Sequence, residues 1–590
     1  MKNLITLLVG ICSLTFGAVD QTTNHSATID SVLQKQVSTL GITSNKLIDD
    51  NTFIRRAYLT IIGRNPTLSE YEMFAAAQVP DKRSKLIDYL VQHPGYVSNQ
   101  FNFWSETLRL RERITAVNNV NGAPYINYVK EQIAANKPYN EFVKSLLLAT
   151  GSYYDNPATG YYVRDFGMPL DNLIGTFKIF AATDIGCAQC HDDPFQDFTQ
   201  YQFYQMASMF NQVDLNRTTS EYREKTKVLR EQVEALIKAD PIKNRGLNNR
   251  LNNFVRATAL STDVDPKKQL KLPHDYQYSN AKPNDVVTPN VLTGSYNIKN
   301  PDNLRVDAVD WLVSSKHPTF VKNIVNRYWQ QVFGKFIIES YDNIYADEKL
   351  NGELMNTLAK IFVELDYDSK KFLTVLYKSA LFQRELYNGA NADSDKFVFI
   401  GPVQRRLTAE QLWDSALAIA LENPESFRLS YHKDYVKAMK TTPDDITIDR
   451  LSAKLEEYNT ALRSKYEKAP RYKNFVLVRA SEINDTGGMS TVIEQLGRSD
   501  RELIQTSSLE GSVTQVISFM NGQLAEVATN KDTYLSKAIA SKSPSDKIEM
   551  IYKGILARRP TMEEKSMFTG VQDDDIIWAL VNSSEFKFNK

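Results

Sequence analysis

Cysteine is nearly absent from this chain, with three in 590 residues, which excludes a disulfide-stapled scaffold. Excess charge is absent too: 70 Lys and Arg stand against 70 Asp and Glu, so the electrostatic footprint of a nucleic-acid or polyanion binder is missing. Beyond the N-terminus no apolar run is long enough to span a bilayer. The six histidines never fall into H-E-x-x-H or H-x-x-E-H spacing, and His274, His317 and His432 stand alone, which reads as surface or capping roles rather than ligation. No G-x-S-x-G, Walker loop or dinucleotide fingerprint follows a strand-like run. Carboxylates are plentiful, but no spacing singles out the acid–base pair that a glycoside hydrolase needs.

What remains is a globular composition, 42% hydrophobic and 11% aromatic, on a chain long enough for two to four domains. Lys2 followed by the apolar stretch Leu4 to Phe16 has the form of an export signal, with cleavage expected near Gly17 or Ala18. Ile11 stands where lipidation of Cys12 would need a small residue. The expected mature chain is therefore periplasmic or secreted, with no transmembrane segment and no nucleic-acid partner.

Helical periodicity dominates the rest. In 324-IVNRYWQQVF-333 the residues Ile324, Val325, Tyr328, Trp329, Val332 and Phe333 share one helical face. Thr408 opens 409-AEQLWDSALAIAL-421 with Gln411 three residues on, a capping box. Strand-like alternation is short, and 474-NFVLVRA-480 is its best instance. The segments 61-IIGRNPTLSEYEMF-74 and 555-ILARRPTMEEKSMF-568 echo each other at Ile, Arg, Pro, Thr, Glu, Met and Phe. Each reads as a helix ended before Pro, then Thr opening the next helix with Glu in its first turn. Helices ending on an aromatic follow both, in 88-DYLVQHPGY-96 and 578-WALVNSSEF-586, and again in 375-VLYKSALF-382. This is a reused helical hairpin, an architectural signal rather than a repeated active site. Residues 218–260 are charged and helix-prone, and 264–294 are Pro-containing and aperiodic. The expected architecture is mainly α: a multi-helical two-domain protein with helical-hairpin elements and long irregular connections. Its divisions are a signal at 1–18, a first domain at 27–212, a connecting region at 213–300 and a second domain at 301–590.

The chemistry concentrates in 184-DIGCAQCHDDPF-195, where Cys187, Cys190 and His191 form C-x-x-C-H. Covalent haem c needs two thiols one turn apart for its vinyl groups and an imidazole beside the second thiol for iron. An exported chain meets the compartment that haem attachment requires. The same residues allow a structural disulfide, a zinc or iron site short of ligands, a thioredoxin-like pair without its βαβ setting, or two thiols with no cofactor. For a haem, Met206 and Met209 in 201-YQFYQMASMF-210, or Met168, are candidate opposite ligands, although methionines at helical spacing more often fill a core.

Several segments together carry a resemblance. In order, 29-IDSVLQKQVSTLGI-42, 53-FIRRAYLTIIGRNPT-67, 186-GCAQCHDDPFQDFTQYQFYQMASMF-210, 303-NLRVDAVDWLVSSKHPTFVKNIVNRYWQQVFGKFI-337, 405-RRLTAEQLWDSAL-417 and 576-IIWALVNSSEFKFN-589 resemble the planctomycete-type cytochrome-associated proteins. That family pairs a first and a second domain of unknown function. The resemblance implies an exported bacterial protein, often encoded beside sulfatase-like proteins and polysaccharide-degradation systems, and implies no known reaction. A redox partner protein or an extracellular polymer is the partner it suggests. Relatives commonly carry C-A-Q-C-H-D-H-P-F, whereas Asp193 replaces the second histidine here. Asn326, Arg327 and Trp329 match the family's N-R-x-W pattern, so Arg327 is a candidate for a haem propionate or a sulfated ligand, with burial as an interdomain ion pair the plainer alternative. Arg55 and Arg56 invite the same question.

Overall fold

The computed structural model describes residues 21–114, 120–165, 168–216, 220–248, 251, 260–338, 351–389, 397–429, 431–439, 447–473, 475–483, 488–504 and 511–589. The export-signal residues 1–18 lie outside the described residues, and so does the side chain of His432. Helices carry most of the described chain and strands are few and short, so the protein is mainly α and multi-helical. Among the described residues no helix is long and apolar enough to cross a membrane.

Local sequence sets the helix starts. Thr67 with Glu70, Thr199 with Gln202, Thr408 with Gln411, Ser512 with Gln515 and Thr561 with Glu564 each form a complete capping box, which satisfies two orphan backbone donors per helix. The run that holds Asn326 and Arg327 is the helix Phe320–Phe333. It stops at Gly334, whose φ of 85° only glycine adopts readily and whose missing Cβ leaves room for the Val403 carbonyl, 2.5 Å from where that atom would be. The helix Asp50–Ala57 continues into a π-helical turn, Tyr58–Ile62. Its freed carbonyls at Thr60 and Ile61 both accept from Asn99 Nδ2, at 2.8 and 3.2 Å.

The largest core draws on residues from Ile29 to Phe399, together with Ala557. A second core gathers Leu59 and Leu68 with apolar residues between Leu407 and Phe586. The charged stretch after residue 218 contains the helix Ser220–Ala239, in which Val228 and Leu236 are exposed while Leu229 and Val233 are buried. Sheet is marginal. Ser261–Val264 lies between Gly151–Ser152 and Val213–Asn216, antiparallel to both. Arg405–Arg406 pairs with Phe588–Asn589. Among its described residues, 475–480, the alternating run supplies only Phe475–Val476, paired with Arg471–Tyr472.

The C-x-x-C-H turn as candidate functional site

The motif lies between two helices, Pro169–Ala181 and Gln200–Phe210. Ala182 ends the first in the left-handed region at φ 46°. Asp184 then holds the approach: its Oδ1 accepts from Gly186 N at 2.9 Å, and its Oδ2 pairs with Lys178 Nζ at 2.6 Å. Cys187–Gln189 form a single 3₁₀ turn, and the Cys187 carbonyl accepts from Cys190 N at 3.2 Å and His191 N at 3.3 Å. This turn presents both thiols outward: Cys187 and Cys190 are exposed and unjoined. Between them Ala188 is fully buried and anchors the turn in the core.

His191 is also exposed. Its Nδ1 lies 2.7 Å from the Asp192 carbonyl. A carbonyl only accepts, so Nδ1 is the donor of this bond and Nε2 is the ring nitrogen left for a ligand. That is the arrangement of a histidine ready to ligate through Nε2, with its other nitrogen held by a backbone acceptor.

The loop after His191 is built by carboxylates acting on backbone. Asp192 Oδ1 accepts from Gln200 N at 2.8 Å, and Asp192 N donates to the Tyr278 hydroxyl at 2.7 Å. Asp193 Oδ1 accepts from Phe195 N at 2.8 Å and Gln196 N at 3.1 Å. Asp193 therefore closes a turn. The turn holds Phe195 outward with 84% of its surface exposed. Gln200 Nε2 ties the motif down by donating to the carbonyls of Gln189 and Cys190 at 3.2 and 3.1 Å. Tyr204 lies on the helix Gln200–Phe210 that follows the motif, burial and then the nearby Cys190 raise its phenol above the ordinary value, and Tyr276 and Tyr278 pack edge to face. Sequence reasoning missed Gln200 and Tyr278. The Thr199–Gln202 capping box was a legible cue for the first, but nothing local points to a tyrosine more than eighty residues away.

The other expected site residues lie elsewhere. Met206 and Met209 are fully buried in the main core, whereas Met168 is 54% exposed. Arg327 is buried, its Nε donating to Asn323 Oδ1 at 3.0 Å and its Nη2 to the Lys178 carbonyl at 3.3 Å. It thus joins the Phe320–Phe333 helix to the helix that leads into the motif. Asn326 binds the backbone of Ile337 and Ile338, and Trp329 packs on Phe333 and Phe399. Arg55 donates to the carbonyls of Phe586 and Phe588, and Arg56 to those of Phe382 and Arg384. Burial lowers both guanidinium pKa values, to about 10 and about 9, and both side chains serve as clamps between distant segments. His274 is exposed. His317 is buried, its Nδ1 accepting from Thr319 N and Phe320 N at 3.4 and 3.2 Å, a capping role. Among the described residues no three His, Cys, Asp or Glu side chains are grouped to hold a metal ion.

Residues 28–215 match the PSCyt2 family, a protein of unknown function (DUF1549). Residues 304–571 match the PSD1 family, likewise a protein of unknown function (DUF1553). No curated protein and no solved structure matches the chain.

Proposed function

Because the chain belongs to the planctomycete cytochrome-associated family that pairs a PSCyt2 domain with a PSD1 domain, we propose that Cys187 and Cys190 hold a haem c through their thiols and that His191 Nε2 is its axial ligand. The observation that carries this reading is the His191 Nδ1 bond to the Asp192 carbonyl, which occupies Nδ1 and leaves Nε2 to face a ligand beside two exposed thiols on one turn. The donor set suits haem, which asks the protein for two thiols and one imidazole, better than zinc, which asks for four ligands. The exposed ring of Phe195 and the partly exposed ring of Tyr278 are aromatic surfaces close in the fold to the motif on which an apolar macrocycle can lie.

A haem so held would supply one-electron chemistry, and the role proposed is electron transfer or a haem-dependent redox step outside the cytoplasm, with a redox protein or an extracellular polymer as partner. This chain's own residues do three things for it. Asp192 and Gln200 fix the loop, Asp184 and Lys178 fix the approach, and Asp193 aims Phe195. Met206 and Met209 are fully buried and would reach a haem on the exposed motif only by leaving the core.

The test is production of the chain in a strain with c-type maturation, followed by a haem-stained denaturing gel and mass spectrometry of the 187–191 peptide. A haem-sized addition that disappears in Cys187→Ser and Cys190→Ser supports the assignment. An unstained band whose thiols react only after reduction would overturn it in favour of a disulfide.

A further inference from the structure

A cavity of about 210 Å³ shares no lining residue with the C-x-x-C-H turn, and it lies where the two family domains meet. Asn102 and Phe103 come from the helix Pro94–Thr107, and Gln331 and Phe336 come from the helix Phe320–Phe333 and the turn after it. Arg405 comes from the two-residue strand and Glu410 from the first turn of Ala409–Ala420. The π-helical turn contributes Thr60 to the wall.

The polar groups here are unusually unspent. Glu410 is only 8% exposed, and its carboxylate has no hydrogen bond or ion pair among the described residues. Gln331 is 9% exposed with its Oε1 buried and without a partner, and the Oδ1 of Asn102 is in the same condition. The half-buried guanidinium of Arg405 has no carboxylate or carbonyl partner among the described residues either. Buried polar groups are ordinarily satisfied, so two orphaned amide oxygens converging with an unpaired carboxylate and an unpaired guanidinium on one cavity mark a place where a ligand completes the bonding.

Charge selects the ligand class. An anion would face the carboxylates of Glu410 and of Glu106, which also lines the cavity. A cation would face Arg405. A neutral polyol meets both conditions, because each hydroxyl donates to one acceptor and accepts from Arg405. Phe103 and Phe336 line the same cavity and supply apolar surface for its C–H groups. We propose that this junction cavity binds a neutral polyhydroxylated ligand of the size of one sugar ring, with Glu410, Gln331, Asn102 and Arg405 as its hydrogen-bonding residues. The proposal is independent of the haem reading.

The test is isothermal calorimetry and thermal melting of the full chain with D-glucose, D-galactose and myo-inositol, beside putrescine, calcium and sulfate. The expected result is binding and a raised melting temperature with at least one of the first three. Glu410→Gln and Gln331→Met should weaken that binding at least about tenfold. Both variants should melt at or above the parent temperature without ligand, because Glu410→Gln removes an unpaired charge from a largely buried site and Gln331→Met removes an unpaired amide. A response to putrescine, calcium or sulfate in place of the neutral probes overturns the ligand class. No response to any probe, or sugar binding unchanged in both variants, overturns the site. A variant that unfolds shows its side chain to be structural and also counts against the proposal.

Discussion

The two copies of the hairpin motif, around residues 58–74 and 552–568, use the same parts to different ends. In the first, Arg64 lies over the Tyr58 ring at 5.6 Å and forks onto Glu70 at 2.7 and 2.8 Å, while Glu70 closes a capping box with Thr67. In the second, Arg558 lies over Tyr552 at 5.2 Å and forks onto Glu564 at 2.8 Å through both nitrogens, while Glu564 closes a box with Thr561. Both preceding helices end in the left-handed region, at Gly63 and Ala557. The copies part at the arginine's second partner. Arg558 takes Glu585 from its own hairpin, and the pair is about a quarter exposed. The corresponding place in the first copy is Gly95, beside which Arg479 inserts. Arg64 takes Glu425 instead, with side-chain exposures of 1% and 4%. Glu425 also pairs with Arg479, and Arg479 Nε reaches Asp414 at 2.7 Å. One copy is a self-contained surface clamp, and the other is a socket into which a distant segment plugs. The lesson is that a repeated motif becomes an assembly point where a glycine vacates the place of a carboxylate.

The largest effect should come from breaking the socket. Arg64→Met leaves Glu425 and Glu70 buried with one cation fewer, and loss of one partner from a buried ion pair costs about 3–5 kcal/mol. Arg558→Met removes the matching residue from a partly exposed clamp and should cost about 1 kcal/mol or less. Urea midpoints followed by far-UV circular dichroism measure both, and equal shifts would erase the distinction between socket and clamp. Gly95→Ala comes next. Its Cβ would lie 2.9 Å from Ile62 Cβ and 3.2 Å from Arg479 Nη1, and overpacking of this kind costs about 1–3 kcal/mol. A midpoint unchanged in Gly95→Ala would show that the glycine is not what admits Arg479.

Acidification should separate the copies by sign. Burial pushes the Asp414 carboxyl up to about 6, against the pull of Arg479 and the Ala480 N–H. A carboxyl raised in the folded state binds its proton more tightly there, so its contribution favours folding at low pH and is lost as pH rises from about 4 through about 6. Burial alone would raise Glu425 as well, but Arg64 and Arg479 hold it well below the usual range. In the clamp, the Arg558 hydrogen bonds bring Glu564 down to about 2, so its contribution is present above pH 4.5 and fades as pH falls toward 2. Asp414→Asn should therefore remove a component of stability that declines between pH 4 and 6, while Glu564→Gln should remove one that rises over pH 2 to 4.5. Parallel pH profiles for the two variants would contradict these opposite shifts.

Much of this was legible in the residues and some was not, for reasons that are local. The helical class, the echo and the Thr408–Gln411 box follow from apolar spacing and from side chains that bond within three residues of themselves. The C-x-x-C-H turn was legible for the same reason, since one turn sets its thiols outward. Glu425, Arg479 and Tyr278 were not, because each reaches a partner across hundreds or tens of residues, and a charged side chain bound for the interior looks in sequence like one bound for water. The strand Ser261–Val264 was missed because it is short, polar and ordered by partners far away on both sides. The alternation at 474–480 overstated strand because its last residues serve the socket: Val478 O accepts from Trp413 Nε1, and Arg479 enters the ion network.

The smallest effect tests whether the clamp is as superficial as its exposure implies. Glu585→Gln leaves Arg558 its fork onto Glu564 and removes one charge from a pair about a quarter exposed, so the cost should stay below about 1 kcal/mol. It should also shrink in concentrated salt, because at about 1 M the screening length falls to roughly 3 Å. Glu425→Gln in the socket should keep most of its larger cost at the same salt, since no ions reach side chains this enclosed. The comparison rests on that difference in screening rather than on the size of either number. If salt reduced both costs by the same fraction, the socket would be open to solvent and the two copies would be one device after all.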